Sequence, residues 1–495
     1  MKRRKLLTGA TALIAATPFA PLIIACKPAA VDPQQWRQTF PGTVVLESDP
    51  HYEEWRSGMA WQMYVHDRRP ALIVRPQGVT GIQAALRFAK EQRLKLAIKS
   101  GGHNVSGAFL RQGGMLMDLG EFQGVEIDTD NGTAWVEPAL WCRNLALALE
   151  PKGFAFPYAH CATVPLGGYL LGGGVGINGD EWGGMACHSV IGAELILADG
   201  TVKQVSATGD PELFWAVRGG GTGFFGVVSR YQIHLYPLPG TIRTSVFIFP
   251  LQQAPAIAAW LDENIDSRNS KTETMMLLAH NPMAPKNATG AEAKVCIARI
   301  AVFADSPAQA AELLDPWHND LQAAGALMAL KDQAATFESM FIESVDATAG
   351  LGFGCYDVET IWSDDPSATI ASLLDSFAHA PSAKSHILLS PRNIRNRLAE
   401  SAFSRIGRAF VGCYSVWDDV ADSAANFAFT QKVVTDMQPT TRGRYINEID
   451  AFTHPDRVHD AYSVTAWNRL ADLRAKYDPG GLFADFPGQQ HVQTL

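Results

Sequence analysis

Two segments of the chain set a nucleophile among glycines. Residues 99–107 read Lys-Ser-Gly-Gly-His-Asn-Val-Ser-Gly, with His103 at their centre. Residues 160–176 run from His160 and Cys161 through Thr163 and Val164 into a stretch holding Gly167, Gly168, Gly172, Gly173, Gly174 and Gly176. A neutral imidazole nitrogen and a thiolate are the side-chain nucleophiles most available near neutral pH. Glycine, with no Cβ, lets main-chain N–H groups close on phosphates or on a flat ring system. A third run, Arg-Gly-Gly-Gly-Thr-Gly-Phe-Phe-Gly at 218–226, either joins the other two around one ligand or makes a tight turn. Several such clusters in one region imply a large cofactor.

Other ligand chemistries fit less well. Gly174, Gly176 and Gly179 make a literal GxGxxG with Glu194 fifteen residues on, the pattern of a nicotinamide site. The pattern should open a long helix, and the Asn-Gly-Asp-Glu-Trp-Gly-Gly that follows is a poor one. Beyond Cys26 there are six cysteines, Cys142, Cys161, Cys187, Cys296, Cys355 and Cys413, scattered with no CxxC pair. That pattern offers no zinc site, and in a chain of this size no disulfide framework is expected, though an even count leaves room for one bridge. A net charge of −9, with no basic run beyond the N-terminus, gives no footprint for nucleic acid. The expected partner is a small molecule. His160, Cys187, His188 and Cys142 read as structural residues.

The elements that must position these groups follow from periodicity. Residues 68–102 read as strand, turn, amphipathic helix, strand, with Ile82, Ala85, Leu86 and Ala89 at helical spacing. Short strands follow, with hairpin signals at Asp130-Asn131-Gly132 and Asp199-Gly200. Beyond residue 240, alanine-rich helices alternate with apolar strands such as Lys-Val-Cys-Ile-Ala-Arg-Ile-Ala-Val-Phe-Ala, and a last amphipathic helix stops at Pro479. The N-terminus is separate: Met-Lys-Arg-Arg-Lys-Leu-Leu and a charge-free stretch to Ala25 resemble a twin-arginine signal, and Ile-Ile-Ala-Cys26 resembles a lipobox. An uncleaved membrane helix is the alternative.

Taken in order, Lys-Ser-Gly-Gly-His-Asn, then Cys-Ala-Thr-Val with its glycines, Leu-Ala-Asp-Gly, Glu-Leu-Phe-Trp-Ala-Val-Arg-Gly-Gly-Gly-Thr-Gly-Phe-Phe-Gly, Tyr-Ile-Asn and Arg-Ala-Lys-Tyr-Asp-Pro resemble the berberine bridge enzyme-like flavin oxidases. These belong to the vanillyl-alcohol oxidase and p-cresol methylhydroxylase superfamily. The resemblance implies an α+β fold: a two-part FAD-binding domain of the p-cresol methylhydroxylase type, and a substrate domain with an antiparallel sheet covered by helices. The divisions expected are an export signal at 1–26, a tether at 27–50, the FAD domain at 51–240, the substrate domain at 241–435, and a segment at 436–495 that returns to the FAD domain. Location is expected on the exported, periplasmic side, or membrane-anchored through a lipid on Cys26.

The resemblance further implies FAD attached twice, through His103 and Cys161. Main-chain contacts are expected from Ser100, Gly101, Gly102, Asn104 and Val105, from Gly168, Gly172, Gly173 and Gly176, and from Val228. Val164 matches the position where a small side chain admits dioxygen. Tyr169 stands where many relatives have histidine, close to the locus that gains negative charge on reduction; a phenol can donate there but brings no positive charge. Arg-Tyr-Ile-Asn-Glu-Ile-Asp at 444–450 is similar to the family's Tyr-x-Asn-Tyr-x-Asp strand. Alternation in a strand puts Tyr445 and Asn447 on one face and Glu448 and Asp450 on the other, so Tyr445 is the first candidate base. Glu448, where relatives commonly carry a second tyrosine, takes the role if a bulge turns it inward. Tyr356, Asp357, Glu359 and Glu400 in the second domain are further polar candidates, unranked. The implied reaction passes hydride from an alcohol-type substrate to the flavin and electrons to O2, giving hydrogen peroxide. A dehydrogenase using a quinone or protein acceptor, and a flavin-free binding lipoprotein, are the alternatives.

Overall fold

The computed structural model describes residues 32–285, 287–341, 354–393 and 399–488. The signal and lipid-anchor readings at 1–26 lie outside them; among the described residues no helix is long and apolar enough to cross a membrane.

The stretch expected as strand, helix, strand folds so. Leu72–Pro76 and Leu96–Lys99 each pair in parallel with Met115–Asp118, and Gly42–Leu46 adds an antiparallel edge. Parallel neighbours need a crossover, which the helix Gly78–Gln92 supplies. Its Ile82, Ala85, Leu86 and Ala89 are buried on one face, and Arg93 ends it in the left-handed conformation at φ 56°. Ligands of such sheets lie beyond the carboxyl ends of the strands. The loop holding His103 begins where Leu96–Lys99 stops.

A second, five-stranded antiparallel sheet runs Val125–Asp128, Thr133–Val136, Val227–His234, Val190–Ile196, Val202–Ser206. Its hairpins turn at the expected Gly132 and Gly200, both at positive φ, where a side chain would be strained. The two sheets share one apolar core, and the C-terminal helix Val464–Tyr477 packs Trp467, Leu470 and Leu473 into it.

The third sheet is antiparallel and eight-stranded: Met328–Ala335, Thr241–Pro250, Lys294–Ala304, Thr272–His280, His386–Pro391, Ala409–Trp417, Cys355–Ser363, Thr441–Gly443. Helices Ala254–Asn264, Pro307–Ala323, Pro366–Ala378 and Ser423–Met437 cover one face. With one face sealed, alternation sends every second side chain to the other. On Cys355–Ser363 this gives Ile361 to the helices and Tyr356 and Val358 to the cavity that faces the first two sheets. The six described cysteines are all free thiols.

Candidate active site

A cavity of about 570 Å³ runs between the two small sheets and the open face of the large one. His103 and Cys161 line one wall, with Cys161 Sγ 3.5 Å from His103 Nε2. The sequence separates them by 58 residues; the fold brings them together.

The His103 loop is built to hold one shape. Gly102 has φ +76°, and a Cβ there would lie 1.9 Å from the Met59 carbonyl oxygen, so only glycine lets the chain turn against that strut. Asn104 Oδ1 accepts from the Ser106 hydroxyl and the Ala108 N–H, and Arg68 donates to the carbonyls of Gly107 and Leu110. The His103 ring lies on Trp61, centroids 4.1 Å apart. Burial pushes its pKa down to about 4, so the imidazole is neutral. Gln62 ties this loop to the large sheet: Nε2 donates to the Val105 carbonyl and Oε1 accepts from the Tyr356 N–H, each at 2.6 Å.

The Cys161 loop meets it from the other side. Thr163 Oγ1 lies 3.5 Å from Cys161 Sγ and accepts a 3.1 Å bond from Trp61 Nε1. Burial raises the Cys161 pKa, and the Thr163 hydroxyl and N–H pull it back. Val164 and Gly168 line the cavity, and a Cβ on Gly168 would meet nothing. Gly172, Gly173 and Gly176 do not line it. Their missing Cβ atoms make room for protein: Asn447 at Gly172, Phe403 at Gly173, the Pro157 carbonyl and Tyr169 at Gly176. Gly101 is likewise packed on Pro165. Tyr169 reaches the cavity wall, but its one proton goes to the Pro157 carbonyl at 2.7 Å. Ser100 and Val228 also line the cavity, and so do Gly221 and Gly226 of the third cluster. The GxGxxG segment opens no long helix; residues 177–182 are turns.

The expected strand at 444–450 is corrected by the structure. Pairing stops at Gly443, and Tyr445 to Glu448 form a turn closed by Glu448 N–H donating to the Tyr445 carbonyl at 3.0 Å. Alternation assumes extended backbone, and a turn of this span returns its fourth residue toward the first. Tyr445, Asn447 and Glu448 therefore all face the cavity. The Tyr445 oxygen accepts from Gly174 N–H and from Asn447 Nδ2, each at 3.0 Å. Burial, then Glu448, raises the Tyr445 pKa, against these two bonds. Glu448 is pushed up to about 7 by burial, opposed by the Tyr414 hydroxyl, which donates to Oε2 at 3.0 Å.

The large sheet forms the ceiling. Tyr356 and Val358 reach down beside Tyr414 and His386, which stack at 5.0 Å. Asp357 and Glu359 point to the opposite face, and Glu400 pairs with Arg469. Reading the sequence did not single out Trp61, Gln62, Thr163, His386 or Tyr414. For Tyr414 the signal was the alternation of Ala409–Trp417; for Trp61 and Gln62 there was none.

A family model described as a FAD binding domain matches residues 70–206. The FAD-linked oxidoreductase janO of Penicillium janthinellum is 28% identical over 461 residues, covering 92% of this chain and 98% of its own. Among solved structures, the berberine bridge enzyme of Eschscholzia californica aligns over 94% of this chain and all of its own, with TM-score 0.77 at 18% identity. The chain is thus a FAD-linked oxidoreductase by its FAD binding domain and its likeness along most of its length to such enzymes, and it has the berberine bridge enzyme fold. Xylooligosaccharide oxidase from Myceliophthora thermophila C1 shares the fold, with TM-score 0.77, 19% identity, and coverage of 93% and 99%. The residues present fit the FAD that the matched domain implies. Gly102, His103, Asn104 and Val105 line the cavity, and their main-chain N–H groups donate to no protein acceptor among the described residues. Consecutive free amides of this kind are the donor set a pyrophosphate takes.

Proposed function

We propose that this FAD-linked oxidoreductase is an oxidase of alcohol-type substrates, a sugar, an oligosaccharide or a phenolic or secondary alcohol, with its flavin joined to both His103 and Cys161. The observation that carries the reading is the position of Glu448, held by Tyr414, across the same cavity from the His103 and Cys161 pair. When bound, the flavin supplies a two-electron acceptor for the substrate's hydride, and O2 then takes the electrons as hydrogen peroxide.

The chain's own residues divide the remaining work. Glu448 is the base: a carboxyl raised to about 7 is both ionised and basic near neutral pH, where general-base catalysis is most efficient. Tyr414 occupies Oε2 and leaves Oε1 to take the substrate's O–H proton. Tyr445, accepting from Gly174 and Asn447, has its own proton free to point at the substrate oxygen and orient it. Val164, small enough to leave an approach for O2, supports an oxidase. The test is an absorbance spectrum of the acid-denatured protein followed by a peroxide-coupled screen of sugars and phenolic alcohols. Yellow colour lost on precipitation defeats the covalent attachment, and turnover with a dye but no peroxide in air assigns a dehydrogenase instead. We propose too that residues 1–26 export the chain and anchor it through a lipid on Cys26; fatty-acid labelling that survives Cys26→Ala overturns this.

A further inference from the structure

We propose that Thr163, oriented by Trp61, is a positioning residue that holds Cys161 ready to ionise. The argument rests on hydrogen-bond direction. The indole N–H of Trp61 can only donate, so at 3.1 Å the Thr163 oxygen must be its acceptor. A hydroxyl that accepts there keeps one proton to give. The sulfur of Cys161, 3.5 Å away, is positioned to receive it. The Thr163 hydroxyl and N–H both oppose the burial that raises the Cys161 pKa. Donors to the charged form favour it, and Cys161, in a largely apolar wall, has burial working against ionisation.

The same indole that sets Thr163 also stacks on His103, at 4.1 Å, and meets Tyr356 at 4.7 Å. Trp61 thus fixes both nucleophiles from one position. His103 Nε2 lies 3.5 Å from the sulfur, but burial holds that imidazole neutral with a pKa near 4, so the thiol proton passes to solvent base and not to His103. Only that proton moves in this step: the S–H bond breaks and the proton is taken up by solvent hydroxide to give water. The consequence for flavin attachment rests on the reading given under Proposed function, whereas the ionisation itself does not.

The experiment separates the two. Full-length protein made under riboflavin starvation carries Cys161 as a free thiol, and its alkylation by iodoacetamide is followed by peptide mass across pH. Buried Cys142 serves as the internal control for folding. Thr163→Val is expected to slow Cys161 alkylation at pH 8 about tenfold and move its midpoint to higher pH, since one hydrogen bond to a charged group is worth that much. Thr163→Ser is expected to match the wild type, and Trp61→Phe to fall between. Equal rates for wild type and Thr163→Val overturn the proposal, as does a Thr163→Ser rate as slow as that of Thr163→Val. In flavin-loaded protein, a Cys161 peptide without flavin mass defeats the attachment reading and leaves the alkylation result to stand by itself.

Discussion

The Tyr414 hydroxyl donates a 3.0 Å hydrogen bond to Glu448 Oε2, joining the strand Ala409–Trp417 to the turn after Gly443. Tyr414 is in turn stacked face to face with His386, at 5.0 Å and 7°, so its hydroxyl has little freedom to swing away. The bond favours the carboxylate and opposes the burial that raises Glu448 to about 7. If Glu448 is the base, kcat climbs with pH through about 7. Removing the donor raises the carboxyl further, so Tyr414→Phe moves that acidic limb to higher pH. Glu448→Gln lowers kcat at least 100-fold, the usual weight of a general base. Steady-state pH profiles of the three proteins check this; an unmoved limb in Tyr414→Phe removes Glu448 from the role.

The same shift makes a stability prediction. Glu448 has a folded value of about 7 against an ordinary 4.5, so the fold favours its protonated form. That contribution is complete below about 4.5 and is lost as pH rises through about 7. Because Glu448 is only partly buried by surface, the loss is on the order of 1–2 kcal/mol rather than the full shift converted. Glu448→Gln mimics the protonated form at every pH. It should melt with the wild type at pH 5 and a few degrees above it at pH 8. Asp357, also raised to about 7, titrates in the same window, so the difference between the two proteins, not the wild-type curve, isolates Glu448. Equal melting temperatures at pH 8 would mean the carboxyl is not held in its raised state.

Behind the turn, Glu359 braces both of its ends. Its Oε1 accepts from Asp450 N–H at 3.0 Å and from Arg457 at 2.6 Å, and Oε2 accepts from Arg444 at 3.3 Å. Glu359 and Arg444 are 0% and 2% exposed, so neither charge has water to fall back on. Removing one member of a buried ion cluster costs about 3–5 kcal/mol, because the others stay buried without compensation. Glu359→Ala should lose that much in urea unfolding. Glu359→Gln, which can still accept from Asp450, should lose less. A loss under 1 kcal/mol for Glu359→Ala, roughly the value of a surface pair, would contradict the arrangement.

Much of this could be read from the residues, and the exceptions have physical causes. Helical spacing at Ile82, Ala85, Leu86 and Ala89 and hairpin signals at Gly132 and Gly200 are local, and local rules found them. The convergence of His103 and Cys161 came through resemblance, since nothing in 58 intervening residues reports a distance. The turn at 445–448 was misread because alternation presupposes a strand, and Gly443, where pairing stops, lies just ahead of the run that resembled one. Trp61, Thr163 and Tyr414 act through neighbours from other sheets, a relation that exists only once strand order is set. Glycines mislead in a different way: bare backbone at Gly172, Gly173 and Gly176 looks the same whether the closing group is a ligand or a protein side chain.

Gly172 turns that last ambiguity into an experiment. Its φ is −99°, so alanine fits the backbone without strain, yet a Cβ would stand 2.0 Å from Asn447 Oδ1 and 2.4 Å from Nδ2. Asn447 must move, and its Nδ2 would leave both the Gly168 carbonyl and the Tyr445 oxygen, each now 3.0 Å away. The bond from Asn104 Nδ2 goes to the main-chain carbonyl of Asn447, not to its side chain, and need not break. Gly172→Ala is therefore expected to keep its flavin while kcat drops about 10- to 100-fold, the range for losing a positioned contact near the reacting group. If Gly172 instead contacts the flavin, flavin content falls first. A double-mutant cycle decides between them. Paired with Asn447→Ala, which removes the obstructing amide, the glycine substitution should cost almost nothing further. An undiminished effect in that background would place the cause on the ligand side of the loop.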